Sequence, residues 1–179
     1  RISAEAAAML AEYLGTDLEK IEMELNKLTI SVPLSKQIDV TDIQNHIGFS
    51  KEFNVFDYVD AVAVKNTFKS FQVGQFLGRN DKNNPFVLIL SMLYNHFSQL
   101  MIIHGVMSKG GHPQDAFPRM KNPYFARKFM DSLKHFNGKS TANVISILRE
   151  YDAKMKGVGA ADLSQEDMMK ELTFRLLYA

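Results

Sequence analysis

Cysteine is absent from this 179-residue chain, which excludes disulfides, thiolate nucleophiles and thiolate-bound metals at the outset. Tryptophan is absent too, and five prolines with ten glycines are too few for a collagen-like or low-complexity chain. Neither sign of charge dominates: 21 Lys and Arg against 20 Asp and Glu leave +1, so bulk charge gives no argument for nucleic-acid or membrane attachment. A long hydrophobic run is also missing. The most apolar stretch, residues 85–103, is interrupted by Ser91, Asn95, His96, Ser98 and Gln99 and reads as a buried core helix. No basic stretch followed by an apolar core marks a signal peptide. The lack of thiols suits a reducing, cytoplasmic setting.

What is present is apolar residues, 46% of the chain, including 13 Phe and 10 Met. Most of these fill a core, and a share is available to face a partner. Charge divides the chain near residue 50: residues 1–50 hold 4 basic and 8 acidic side chains, and residues 51–179 hold 17 and 12. Two unequal units are expected, 1–50 and 51–179.

Periodicity predicts an all-α fold. In the first unit Ser3 caps a helix over 4–14 that Gly15 stops. Thr16 and Glu19 form a capping-box spacing before a helix whose inward face is Leu18, Ile21, Leu25 and Leu28. Ile38 and Val40 read as a brief extended piece, and Thr41 with Gln44 as a second capping box for a helix stopped by Gly48. In the second unit Asn54 caps a helix with Phe56, Val59 and Val62 inward, and another spans about 67–77 before Gly78. Asn84 and Pro85 form an N-cap and N1 pair opening a central helix of about 22 residues, ending near Met107. Residues 108–118 are a loop with a short helical turn. Asn122 and Pro123 repeat the device for a helix to about Phe136, closed by Asn137 and Gly138. Ser140 opens a helix with Val144, Ile147, Leu148 and Tyr151 inward, ending at Gly157. The last helix follows Ser164 and packs Met168, Leu172 and Leu176.

Catalytic signatures are missing from this frame. Gly105 and Gly110 have the outer spacing of a phosphate loop, but Gly111 and His112 stand where Lys and Ser or Thr are required. Gly157 and Gly159 follow a helix, not a strand. His46, His96, His104, His112 and His135 include no HExxH, so no metal site and no cofactor is expected. His96 and His104 share a face of the central helix two turns apart and read as histidines at a core edge or interface. The clusters Glu19, Glu22, Glu24 and Glu166, Asp167, Glu171, like Asp57 and Asp60, fit solvated early helix turns. One charge feature stands above background: Arg119, Lys121, Arg127, Lys128 and Lys134, interleaved with Tyr124 and Phe125. A solvated face explains it best, and a nucleic-acid contact is the alternative.

Several segments together resemble the delta subunit family of bacterial DNA polymerase III, the clamp-loader wrench. Gly15, Asp17, Leu18, Glu24, Leu25, Lys27 and Leu28 match its lid helix, and residues 38–47 the segment after it. Asn54, Val55, Phe56, Asp57, Asp60 and Ala61 match the pattern N-x-F-D-l-x-d-A, the most specific stretch. Asn84, Pro85 and Leu88 to Leu90 resemble its collar helix. Asn122, Pro123 and Tyr124 resemble a turn before Ala126 and Lys128, and Asp152, Lys154, Lys156 and Gly157 match D-x-x-x-K-G.

The resemblance implies a partial AAA+ lid in residues 1–50, then a helical collar domain in 51–179 that joins other clamp-loader subunits, the ATPase gamma/tau-type and delta-prime. It implies a sliding-clamp contact only through an amino-terminal domain outside this chain, so that Arg1 is a boundary within a longer protein. It implies no ATP hydrolysis, no cofactor, no membrane and a role in opening the clamp, with DNA contact as an option. Assembly through the collar predicts apolar patches of several hundred Å² on its surface. The competing readings are a nucleic-acid-binding helical domain using residues 119–134, a sister clamp-loader subunit and, least supported, an enzyme.

Overall fold

The computed structural model describes the chain except residues 15–17, 34, 47–52, 83, 121–125 and 159–162, and the side chains of Glu12, Ala126 and Arg127. The expected signals at Gly15, Thr16, Gly48, Asn122, Pro123 and Gly159 lie outside the described residues. The fold is all-α, as the periodicity requires, and divides into two units, Arg1–Asn54 and Val55–Ala179.

The first unit holds α1 (Ala4–Leu14), α2 (Leu18–Ser31) and α3 (Val40–His46). Ser3 caps α1, its Oγ accepting from the Ala6 N–H at 3.1 Å. The extended piece is a single parallel bridge between Ile2 and Ile38, after which Val40 already begins α3. The capping box before α3 is Asp39 with Asp42, not Thr41 with Gln44: each carboxylate accepts from the other's backbone N–H at 3.0 Å. Lys36 Nζ closes the arrangement on Asp42 at 2.7 Å, and that contact holds the Asp42 carboxyl below the usual carboxylate range. The face of α2 also differs from expectation. Glu24, Leu28 and Val32, four residues apart, form its inward line, while Leu18 is 77% exposed and Ile21 and Leu25 sit half-buried at the edge. Glu24 is tolerated there because Lys27 Nζ lies 2.7 Å from one carboxylate oxygen.

The second unit contains α4 (Val55–Ala63), α5 (Thr67–Arg79), α6 (Phe86–Met107), a 3₁₀ turn (Pro113–Arg119), α7 (Ala126–Ser132), α8 (Gly138–Met155) and α9 (Gln165–Leu177). Helix α6 is apolar enough by length and composition to cross a membrane, yet over half of its most apolar stretch is buried, as in a core helix. It packs on α8, α4 and the 3₁₀ turn, while α5 pairs with α9 and α4 bridges the two groups. A buried hydrogen-bond chain pins α4 to α9: Thr173 Oγ1 donates to the Met169 carbonyl at 2.6 Å, so the Tyr58 hydroxyl donates to Thr173 Oγ1 at 2.8 Å.

Several expected caps sit elsewhere. Asn66 is the cap of α5, accepting from the Lys69 N–H at 3.1 Å. Gly78 does not stop α5. A Cβ there would stand 2.8 Å from the Glu166 backbone, so glycine allows α5 and α9 to touch. The cap position of α6 is Pro85, without a side-chain bond, because Asn84 turns back to donate to the Asn80 carbonyl at 3.1 Å. Asn137 opens α8 instead of closing the helix before it, accepting from the Ser140 N–H at 2.9 Å. The helix predicted to reach Phe136 ends at Ser132 in a turn. In α9 the inward residue is Met169, with Met168 half-buried.

Candidate assembly surface

Groups able to do chemistry occupy structural positions. His96 and Ser132 bring a base and a hydroxyl together, Nε2 to Oγ at 3.0 Å, but Ser132 is 0% exposed and out of reach of any substrate carbonyl. Burial first, then the nearby Lys128, pushes His96 down to about 3, leaving a neutral ring stacked on Phe129 at 4.7 Å. It floors a small polar cleft of about 320 Å³ lined also by Asp60, Asn66, Lys69, Lys128 and Asp131. His104 ties α6 to the start of α8, its Nε2 lying 3.0 Å from the Phe136 carbonyl, and burial lowers its pKa. The two histidines, read from the sequence as lying at a core edge or interface, each bond from α6 to the segment between α7 and α8 or its border. Among the described residues no group of His, Asp and Glu is placed to hold a metal ion.

Of the five cations singled out in the sequence, three have side chains among the described residues. Arg119 is exposed at the end of the 3₁₀ turn. Lys128 reaches Asp60 of α4 at 2.8 Å, and Lys134 pairs with Asp131 at 2.7 Å. Lys121 and the side chain of Arg127 lie outside the described residues, as do Tyr124 and Phe125.

Among the described residues of the unit, a group of large aromatic side chains stands exposed near α5 and α9. Helices α5 and α9 run antiparallel, Gly74 facing Thr173 and Gly78 facing Glu166, which draws the two backbones together. Along the flank of this contact the side chains are larger and an open groove of about 660 Å³ results. Its lining includes Thr67, Phe68, Phe71, Gln72, Gln75, Lys170 and Thr173. Phe68 is 79% exposed. Lys170 lies one helical turn before Phe174, so the exposed stack of Phe174 on Tyr178, centroids 4.7 Å apart, continues the α9 wall. A second, weaker apolar feature is the outer side of α6, where Val87 and Tyr94 are half exposed among Ser91, Asn95 and Ser98.

Sequence reasoning anticipated surplus apolar residues without naming these. The signal was there in the wheel. On α5 the inward line is Ser70, Val73, Gly74, Leu77 and Gly78, with Phe71 beside it and Phe68 on the far side; on α9 Phe174 lies on the far side from Met169, Leu172, Thr173 and Leu176, and Tyr178 follows it at the cap.

Comparison with known proteins is consistent with this architecture. The family model described as DNA polymerase III delta subunit, C-terminal domain, matches residues 52–173. The DNA polymerase III subunit delta of Bacillus subtilis (strain 168) is 23% identical over 156 residues, 87% of this chain and 44% of that protein. Among solved structures, the Bacillus subtilis DNA clamp loader delta protein (YqeN) aligns with a TM-score of 0.60 at 20% identity, covering 99% of this chain and 51% of that one. The chain thus spans about half the length of the relatives it matches, and the structural likeness is one of fold.

Proposed function

The chain belongs to the DNA polymerase III delta subunit family, whose C-terminal domain model covers residues 52–173, and from that premise we propose that its second unit is an assembly module of a bacterial clamp loader. Residues 51–179 act as the helical collar that joins the ATPase gamma/tau-type and delta-prime subunits, and residues 1–50 are part of an AAA+ lid. The whole protein, working in the cytoplasm during replication, opens the sliding clamp through a segment outside this chain, and its sister subunits supply the ATP hydrolysis. The observation that carries the reading is the match across nearly all of the second unit, on which the aromatic groove between α5 and α9 supplies a surface suited to a protein partner. DNA contact through Arg119, Lys121, Arg127, Lys128 and Lys134 is the weaker reading, since Lys128 and Lys134 each already face a carboxylate.

The test is the mass of the purified chain, alone and mixed with the ATPase and delta-prime subunits of the same organism, by light scattering. A mixed species containing one copy of this chain is expected. A clean monomer at micromolar concentrations beside unbound partners would overturn the assembly role.

A further inference from the structure

We propose that the groove between α5 and α9 is the face on which another clamp-loader subunit seats one uncharged, amphipathic helix, with Phe68, Phe71, Phe174 and Tyr178 as its anchors. This rests on the assembly reading above and adds to it the face, the anchoring residues and the chemistry of the occupant.

Three observations select that occupant. The first is area. Phe68, Phe174 and Tyr178 are 79%, 55% and 71% exposed, and since each ring buries ~150–250 Å² when enclosed, together they offer roughly 300–500 Å², near half of the ~800 Å² that one side of a specific interface contributes. Clustered aromatic side chains left in water cost the isolated unit and are the residue types that anchor protein interfaces.

The second is charge. Among the described residues Lys170 is the one ionised residue on the groove lining, and it is compensated by Glu166 at 3.1 Å and Asp167 at 3.7 Å. The rest of the polar lining is amide and hydroxyl: Thr67, Gln72, Gln75 and Thr173. A complementary partner is therefore uncharged at the contact, which disfavours a phosphate backbone or an anionic bilayer. The amides of Gln72 and Gln75 can bond the polar flank of such a helix.

The third is shape. Gly74 and Gly78 bring α5 and α9 together, and the larger residues that flank this contact, Phe68 to Gln75 on α5 with Lys170 and Thr173 on α9, leave an open slot beside it. A third helix packs into such a slot between two others at ordinary interhelical distance, laying a ridge of aliphatic side chains at i, i+3, i+4 and i+7 between the walls. On the outer side of α6, Ser91 and Ser98 already donate to α6's own carbonyls at 2.8 and 3.0 Å.

The experiment compares the wild-type chain with Phe68→Ser, Phe174→Ser and Tyr94→Ser, each mixed with the ATPase and delta-prime subunits, by light scattering and by titration. Circular dichroism melting confirms that each variant is folded, a mild requirement because all three side chains are exposed. Phe68→Ser and Phe174→Ser are expected to weaken association about tenfold or more, and Tyr94→Ser to leave it within about threefold. Loss with Tyr94→Ser but not with the other two would overturn the choice of face and leave the assembly reading standing. A wild-type chain that forms its own dimer, dissolved by Phe68→Ser, with no partner bound, would make a second copy the occupant and overturn the proposal. A wild-type monomer with no partner bound would remove the assembly reading and this inference with it.

Discussion

The two units solve the same problem, stabilising short helices, by different means. The second has a central helix with ten buried residues, a continuous core from Val55 to Leu177 and a buried Tyr58–Thr173 bond, so local signals there are secondary to packing. Among its described residues the first buries a handful of apolar side chains, Ala6, Met9, Leu10, Leu28, Val32, Ile38 and Ile43. It leans on polar devices near one another in sequence, the Ser3 cap and the Lys36–Asp39–Asp42 cluster. A core that small is marginal, and each local bond in it carries a larger share of the whole.

The sharpest way to break the comparison is in the centre of the large unit. Leu93→Ala, at a fully buried position of α6, is expected to cost about 2–5 kcal/mol. Hydrogen exchange read residue by residue should show protection falling in α4, α5, α6, α8 and α9 while α1, α2 and α3 keep theirs. Equal loss in both units would mean that they unfold as one. Gly78→Ala comes next. The new methyl would meet the Glu166 backbone at 2.8 Å, an overpacking penalty of about 1–3 kcal/mol that the ~1 kcal/mol gain in helix propensity only partly offsets. A melting temperature at or above wild type would show that α5 and α9 can part freely.

In the small unit, Asp39→Ala removes the α3 cap and is expected to cost about 1 kcal/mol, seen as lost protection in α3 alone. The pH response sharpens the same contrast. Asp42 has its folded pKa lowered by Lys36 and by the Asp39 backbone N–H, so its stabilisation is complete above the ordinary carboxylate pKa of ~3.9 and is lost as pH falls through the folded value. Acidification below about pH 4 should therefore loosen α3, and Asp42→Asn should flatten that dependence. In the large unit Glu150 is held at about 2 by Arg175 and keeps its contact down to about that pH.

The order and approximate length of the helices were legible because apolar periodicity and turn residues act locally. Cap positions were less so, since dipeptides such as Asn84–Pro85 and Asn137–Gly138 serve either side of a break, and tertiary contacts decide which. The phase of α2 failed for a related reason: a buried Glu24 beside Lys27 competes with Leu18 for the inward line, and no apolar pattern scores a buried carboxylate. The exposed aromatics were legible as apolar residues off the inward lines of α5 and α9, but the groove they border was not, because it depends on the contact of α5 with α9 at Gly74 and Gly78. The basic stretch read as one feature along the chain, yet Lys128 turns to Asp60 and Lys134 to Asp131.

The measurement that goes most directly to the central claim is the light-scattering mass of this chain mixed with the ATPase and delta-prime subunits, at salt high enough to screen surface charge. A stable species with a single copy of the chain, insensitive to salt because its contacts are apolar, is the predicted result. Separate monomer and partner peaks at every salt concentration would contradict it.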